Sequence, residues 1–387
     1  MGPLKGDNKM KIGIPKEIKN LEFRVGATPT MVMGFTEAGH EVIVENNAGA
    51  KIGYTDEMYE KAGAKIAFTT KDAWNVEMVI KVKEPQDSEF PYMNEGLILF
   101  CYLHLAPDAK QTRNLLDKKV IGIAYETVFD KEGRLPLLTP MSEIAGRISI
   151  QAGAFSLQMA NGGRGVLLGG VPGVLPAEVV ILGGGVVGTN AAQMALGLGA
   201  EVTILDMNLK RLRELDAIYQ GRLKTLYSSP QIIAKLISHA DLVVGAVLIP
   251  GKKAPKLLNR EMIQLMQPGS VLVDVSIDQG GCFETSKPTT HSDPTYVVDG
   301  VVHYCVANMP GACARTATQA LTNATFPYAI RIANLGYKKA LTADDLFRPG
   351  LNVYKGMVTN AHVAEALDYE YITPESALEM NTTLAQT

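Results

Sequence analysis

What is scarce in this chain narrows its function before any motif is read. It has one tryptophan, four cysteines and 6% aromatic residues, and its 37 Lys and Arg nearly cancel its 40 Asp and Glu, for a net charge of −3. With no basic surplus there is little to neutralise a row of phosphates, which argues against nucleic-acid binding. Charged residues make up only 20%, unlike a disordered acidic chain or a coiled coil. Cys101, Cys282, Cys305 and Cys313 show no CxxC spacing, so reduced thiols are expected rather than a secreted disulfide framework. His40, His239, His291, His303 and His362 form no pair at ligand spacing, and no catalytic metal is expected. The N-terminus carries no apolar signal core, and the polar, irregular residues 1–9 read as a leader outside the fold.

What is present is a 387-residue chain, 47% hydrophobic, long enough for two or three domains. The stretch Val179–Ala200 has no charge and is long enough to cross a bilayer, but six glycines interrupt it. It reads better as strand, glycine turn and helix. Before it, strands are expected at Lys11–Pro15, Glu41–Glu45, Ala64–Phe68, Val76–Val82, Leu97–His104 and Val120–Tyr125. Between them lie helical stretches such as Thr30–Ala38 and Thr55–Ala62, each closed by a glycine, Gly39 or Gly63. A second alternation begins at Glu178, with further strands at Glu201–Leu205, Lys224–Tyr227, Asp241–Val247, Val271–Val275 and Val301–Val306. From about Pro310 the chain reads helical. Such alternation predicts an α/β fold of two doubly wound, Rossmann-like parallel-sheet domains facing across a cleft. Residues 10–137 with 310–387 would form the substrate domain, and 138–309 the dinucleotide domain.

Gly183-Gly184-Gly185-Val186-Val187-Gly188 fits G-x-G-x-x-G. Alone the match is weak, but an apolar strand precedes it, a helix follows it, and a second strand ends in Asp206. Gly183 permits the tight turn, Gly185 lets backbone amides with that of Val186 approach a pyrophosphate, and Gly188 allows close helix–strand contact. Asp206 stands where a carboxylate accepts ribose hydroxyls and repels a 2′-phosphate, which favours NAD over NADP. An ordinary glycine turn is the bland alternative.

Four polar residues fall at or past expected strand ends, where α/β domains place active sites. They are Arg24, Lys83, His104 and Asp278. Each has a structural alternative: surface charges for Arg24 and Lys83, a satisfied strand-end histidine for His104, and a cap on the Gln279-Gly280-Gly281 turn for Asp278. Spacing alone names no substrate.

Several blocks in order are more specific: Lys11-Ile12-Gly13-Ile14-Pro15-Lys16-Glu17, Glu22-Phe23-Arg24-Val25, Lys81-Val82-Lys83-Glu84-Pro85, Tyr102-Leu103-His104-Leu105-Ala106, Ala124-Tyr125-Glu126-Thr127, Gly162-Gly163-Arg164-Gly165, Asp278-Gln279-Gly280-Gly281-Cys282 and Ala307-Asn308-Met309-Pro310. From Met10 to about Thr359 the chain resembles the NAD-dependent L-alanine dehydrogenase family. The resemblance implies reversible oxidative deamination of L-alanine to pyruvate and ammonium, with NAD as cofactor. It implies that Arg24 and Lys83 bind substrate, that His104 transfers protons and that Asp278 is its acidic partner. It also implies a nucleotide site lined by Ser142, Arg211, Ser228, Val247, Leu248, Val306, Asn308 and Met309, to which Val275, Ser276, Ile277 and Asp278 are added at the strand end. A homo-oligomer, commonly a hexamer, is implied too, while the thiols point to the cytoplasm and the charge balance and broken apolar run to neither nucleic acid nor membrane as partner. Two departures stand out: Arg211 where relatives often carry Lys, and Cys313-Ala314 where they usually carry Val-Pro. The competing readings are an NAD(H)-binding transhydrogenase-like component, a saccharopine dehydrogenase-like enzyme, and a catalytically silent NAD-binding sensor.

Overall fold

Runs of β-branched residues three to six long, each followed by an amphipathic stretch, are too short for helices and pair as parallel strands instead. The computed structural model describes residues 8–247 and 254–383, which divide into two compact units, Met1–Pro140 with Cys313–Thr387, and Met141–Ala312. The strands, in chain order, are β1 (Lys11–Ile14), β2 (Glu41–Glu45), β3 (Lys65–Ala67), β4 (Met78–Ile80), β5 (Ile98–Cys101) and β6 (Ile121–Ala124) in the first unit. Next come β7 (Glu178–Leu182), β8 (Glu201–Asp206), β9 (Leu223–Tyr227), β10 (Leu242–Gly245), β11 (Val271–Asp274), β12 (Thr295–Val298) and β13 (Val301–Tyr304) in the second. The chain then returns to the first unit with β14 (Leu351–Tyr354) and β15 (Met357–Val358).

The first sheet runs β3-β2-β1-β4-β5-β6-β14-β15 and the second β9-β8-β7-β10-β11-β13-β12. In each, the first strand lies in the middle, the chain winds outward to one side, and the fourth strand starts the other side. That is the doubly wound order, and its crevice opens where the winding reverses, past the carboxyl ends of the first and fourth strands. In the first unit this point lies between β1 and β4, with Ile12 opposite Met78, and in the second between β7 and β10, with Ile181 opposite Val244.

The expected doubly wound sheets are there, but neither is purely parallel. β14 runs antiparallel to β6 and to β15, and β12 runs antiparallel to β13. Both pairs β12–β13 and β14–β15 are tight hairpins, turning at Asp299-Gly300 (φ 50° and 81°) and Lys355-Gly356 (φ 48° and 90°). Two successive positive φ values match the right-handed twist of the strands they join. The helical reading beyond Pro310 is thus interrupted by a hairpin that extends the first sheet.

Helix starts follow local chemistry. Thr28 accepts the N–H of Met31 with Pro29 in the first turn, and Ser229 accepts that of Ile232 before Pro230. Gly39 and Gly63 follow the helices Pro29–Glu37 and Asp56–Lys61 with φ of 95° and 91°, as expected of closing glycines. The charge-free stretch from Val179 is β7, a glycine turn and the helix Val186–Gly197. Among the described residues no helix is long and apolar enough to cross a membrane. Asn8, within the expected leader, donates to the Ala333 carbonyl at 3.0 Å, and residues 1–7 lie outside the described residues.

Candidate functional site

In the first unit, three of the charged candidates follow strands at or next to the switch point. The strands end earlier than the sequence suggests: β4 stops at Ile80 and β5 at Cys101, so Lys83 and His104 stand on turns beyond them. The loop after β1 returns over β4 because residue 26 is glycine. A Cβ there would lie 2.3 Å from the Ile80 carbonyl oxygen. This close approach puts the segment carrying Arg24 against the strand end that leads to Lys83.

Arg24 is 2% exposed, which removes the surface-charge reading. Its Nε and Nη2 donate to the two oxygens of Glu22 at 2.7 and 2.5 Å. Burial opposes the charged guanidinium, but hydrogen bonding to Glu22 and the charge of that carboxylate prevail, and its pKa is raised. Lys83 is half-buried, and its backbone N–H reaches Glu17 Oε1 at 3.3 Å. The same oxygen accepts the N–H of Val82 at 2.6 Å. Two residues upstream, Lys81 is fully buried with its ammonium between Glu17 (3.1 Å) and Glu89 (3.0 Å).

His104 is half exposed and has a left-handed backbone, φ 48°. In a residue with a Cβ that costs about 1–2 kcal/mol. The turn is held from three sides. Glu126, just past β6, accepts the N–H groups of Leu103 and His104 on one oxygen, at 3.1 and 2.7 Å. Gln111 donates to the Leu103 carbonyl at 2.9 Å, and the buried Tyr102 donates to the Leu137 carbonyl at 2.5 Å. The Tyr102 ring lies nearly parallel to the imidazole with centroids 6.0 Å apart, and His104 Nδ1 is 4.0 Å from Glu126 Oε1. Hydrogen bonds to a carboxylate contribute about 1.5–3 kcal/mol each, enough to offset the backbone cost.

In the second unit the fingerprint has the geometry each glycine was expected to serve. Gly183 has φ 108°, and a Cβ on Gly188 would fall 1.8 Å from the Gly183 carbonyl oxygen, so neither tolerates a side chain. A Cβ on Gly185 would meet no described atom within 4 Å, and Gly185 caps the helix Val186–Gly197 without a side-chain partner. An uncapped helix N-terminus beside open space is what a pyrophosphate requires. Asp206 closes β8, with Oδ2 accepting the Gly184 N–H and Oδ1 that of Asn208, both at 2.7 Å. Arg211 is tied to the turn rather than pointing away from it: Nε donates to the Gly184 carbonyl and Nη2 to Thr189 Oγ1, both at 2.7 Å, while Nη1 meets Glu214 at 3.0 Å. The Gly184 peptide is therefore pinned at both ends.

β11 ends at Asp274, and Asp278 sits in the 3₁₀ turn Val275–Gln279. Asp274 caps that turn, its side chain accepting the Ser276 N–H, while in the turn considered for Asp278 the N–H groups of Gly280 and Gly281 go to the carbonyls of Ile277 and Ser276 at 2.9 and 3.1 Å. Asp274 also accepts the N–H of Cys282 at 2.8 Å and the Ser286 hydroxyl, and burial raises its pKa against these bonds. Lys256 donates to the carbonyls of Gly280, Gly281 and Phe283 at 2.7, 2.9 and 3.0 Å. Asp278 itself is exposed, and its Oδ1 accepts the N–H of Asn308, another left-handed residue (φ 60°), at 3.3 Å. Ser276 donates to the Val247 carbonyl at 2.7 Å, and the Ser228 N–H reaches the Asp206 carbonyl at 3.0 Å. Ile277, Val306 and Met309 are buried, Val275 is half-buried, and Ser142 lies in the first turns of the helix Thr139–Ser156. Leu248 lies outside the described residues. Cys101, Cys282 and Cys305 are buried and Cys313 partly so, none in a disulfide, and burial pushes the Cys101 and Cys282 thiols well up.

The residues that reading for chemistry missed are supports: Glu17, Glu89, Glu126 and Asp274 accept backbone N–H groups, and Lys81 bonds the side chains of Glu17 and Glu89. Glu17, Lys81 and Glu126 were inside the quoted blocks, but their sequence signal did not separate support from catalysis.

Residues 13–145 match the family model described as alanine dehydrogenase/PNT, N-terminal domain, and residues 149–361 its C-terminal counterpart. The chain is 57% identical over 372 residues to alanine dehydrogenase 2 of Staphylococcus aureus, covering 96% of this chain and all of that protein. It is 56% identical over 370 residues to alanine dehydrogenase of Halomonas elongata, covering 95% and all of that protein. A solved L-alanine dehydrogenase superposes with a TM-score of 0.91 at 52% identity, covering 93% of this chain and 99% of that one. A transhydrogenase from Sinorhizobium meliloti shares the fold at 24% identity, with a TM-score of 0.80, 90% of this chain and 99% of that one covered. The chain belongs to the alanine dehydrogenase/PNT family.

Proposed function

We propose that this protein is an NAD-dependent L-alanine dehydrogenase: L-alanine, NAD⁺ and water give pyruvate, ammonium, NADH and a proton, reversibly. The observation that carries the reading is the set of Arg24, Lys83 and His104 past consecutive strand ends of the first unit, in a chain 57% identical to an alanine dehydrogenase along its length. The second unit fits the dinucleotide, since glycines leave room at an uncapped helix start and Asp206 closes the next strand. Bound there, the nicotinamide supplies the hydride acceptor.

The residues of the chain do the rest. Glu22 holds the Nε/Nη2 edge of Arg24 and so fixes the plane in which the guanidinium pairs with the substrate carboxylate, which orients the substrate Cα–H. Lys83 polarises the oxygen on C2 in the carbinolamine and in pyruvate. Water adds to the iminium and ammonia leaves through the carbinolamine. Both steps move a proton, for which an imidazole serves near neutral pH. With Nδ1 of His104 on the Glu126 side, Nε2 exchanges that proton. Asp278 is the second acidic group, holding the attacking water or the departing amine. The nucleotide contacts are Ser142, Gly183, Gly185, Val186, Gly188, Asp206, Arg211, Ser228, Val247, Leu248, Val275, Ser276, Ile277, Asp278, Val306, Asn308 and Met309, with the fully buried Val306 contributing through its main chain. We extend the reading to a cytoplasmic homo-hexamer, supported by family resemblance.

The test is NADH absorbance with L-alanine and NAD⁺, and in reverse with pyruvate, ammonium and NADH. NADH formation that depends on L-alanine, and a fall of about 10²–10⁴-fold in His104→Ala, are expected. Silence in both directions with NADH still bound would favour the transhydrogenase-like or sensor reading, and near-normal turnover in His104→Ala would remove the acid–base role.

A further inference from the structure

We infer that Glu126 is a positioning residue for the reaction: its carboxylate holds residue 104 in the left-handed backbone conformation and thereby sets where the imidazole stands. The inference rests on the proposed function for the identity of the reaction, and on geometry alone for the holding.

The chain must turn after β5 ends at Cys101, and a glycine or asparagine would make a left-handed turn there at little cost. A histidine stands at that position instead, with φ 48°. A bulky residue stays in this region only when its surroundings over-determine it, and such positions cluster where function needs a side chain in one place. Of the three side chains that hold this turn, Glu126 is the one that bonds the backbone of residue 104 itself. It belongs to the next strand connection, just past β6, and Cys101 is paired with Ala124, so the two strand ends are in register. A side chain starting two residues beyond Ala124 can reach across the turn. Its Oε1 takes the N–H groups of Leu103 and His104, and its Oε2 lies 3.3 Å from the Leu103 nitrogen. The carboxylate is mostly buried, while the imidazole it supports is half exposed. A group that only stabilised the strand end would not need to bond the backbone of the exposed residue, and here the shortest of its bonds, 2.7 Å, goes to His104 itself.

Two properties of Glu126 separate cleanly by substitution. Glu126→Gln removes the charge but keeps an oxygen at the same reach, able to accept both N–H groups. Glu126→Asp keeps the charge but withdraws it by one methylene, and Glu126→Ala removes both. The full-length wild type and the three variants are assayed for kcat and KM with L-alanine, for NADH affinity by fluorescence titration, and by crystallography. Glu126→Ala and Glu126→Asp are expected to lose about 10–100-fold in kcat, the scale of a misplaced reacting group, with NADH affinity within about twofold of wild type. Glu126→Gln is expected to stay within about threefold in kcat. In crystals, residue 104 should leave the left-handed region in Glu126→Asp and keep it in Glu126→Gln. If Glu126→Ala does not fold, the Asp and Gln pair carries the test. Unaltered kcat in Glu126→Asp, Glu126→Gln as damaged as Glu126→Asp, or residue 104 unmoved in Glu126→Asp would each overturn the inference. A wild type inactive with L-alanine would sink the proposed function instead, and the backbone conformation of the variants would still decide whether Glu126 does the holding.

Discussion

Lys81→Met should destabilise the protein far more than its conservative volume suggests. The ammonium is fully buried between two carboxylates, Glu17 at 3.1 Å and Glu89 at 3.0 Å. Methionine fills the space but leaves both acids buried without a cation. Breaking a buried ion pair by removing one partner costs about 3–5 kcal/mol. For a unit of this size each kcal/mol shifts the midpoint by roughly 2–4 °C, so a fall of about 10 °C in Tm is expected, within bounds of roughly 6 and 20 °C. The triple variant Lys81→Met/Glu17→Gln/Glu89→Gln should recover most of that. The amide oxygen that Glu17→Gln leaves in place can still accept the N–H of Val82, and none of the three positions then carries a buried charge.

The pH dependence gives a second check. Burial raises the pKa of Glu17, and the nearby Glu22 and Glu89 add to it, while Lys81 pulls it down. At Lys81 the outcome is the reverse of desolvation: two carboxylates share one cation, and their attraction raises the lysine. Both partners move up, Glu17 because burial outweighs the pull of the one cation, and Lys81 because the two carboxylates outweigh its own burial. Removing Lys81 drives Glu17 higher still. The native state then holds a proton the unfolded chain has lost, from the ordinary value near 4.5 up to the raised one, so stability falls as pH rises through that window. The deficit of Lys81→Met relative to wild type should therefore be smaller at about pH 5 than at about pH 8 in thermal melts. A deficit below about 1 kcal/mol, or one that grows on acidification, would refute the assignment of Lys81 as the charge that balances Glu17 and Glu89.

Asp206→Ala should weaken NADH binding by about 10–100-fold, through loss of charge-assisted hydrogen bonds at the ribose and at Gly184, and should narrow discrimination against NADPH. Paired titrations with both nucleotides check it, and an intact preference for NADH would remove the ribose assignment. Ala314→Pro should raise Tm by about 1–4 °C, because Ala314 is the first residue of the helix Ala314–Leu335, where proline fits and shrinks the unfolded ensemble by about 0.4–1 kcal/mol. A lower Tm would mean that the backbone at this helix start cannot take the proline ring.

The doubly wound architecture was legible because each parallel strand is a short apolar run beside an amphipathic helix, and that alternation has few solutions. The two hairpins were not read, for different reasons. Asp299-Gly300 between Val297-Val298 and Val301-Val302 carries the strongest short hairpin signal, yet only its second strand, Val301–Val306, is among the expected elements. Lys355-Gly356 makes the same turn with a lysine in the left-handed position, where composition gives no warning. For the site, the charged residues beyond strand ends were visible, but their partners were not. Glu22 closing on Arg24 is a two-residue reach, whereas Glu17 to Lys81 spans 64 positions and Glu126 to His104 spans 22. Pairings at that distance depend on strand order, which periodicity does not encode.

The acids near the strand ends outnumber what the chemistry requires, and four of them share a use. Glu17 takes the backbone of Val82 and Lys83, Glu126 that of Leu103 and His104, Asp274 that of Ser276 and Cys282, and Asp278 that of Asn308. A backbone N–H just past a strand end has no ladder partner, and a turn with positive φ cannot find one locally, so a carboxylate from a neighbouring connection completes it. This fixes side chains on turns with the rigidity of sheet residues, which reaction geometry demands. It also means that Asp278 both meets solvent and holds Asn308, so the loss in Asp278→Ala mixes acid chemistry with a released loop. Only Asp278→Asn, which keeps an acceptor oxygen for that N–H while removing the acid, isolates the chemical part. The loss in Asp278→Asn then measures the acid chemistry, and the further loss in Asp278→Ala measures the turn the residue closes.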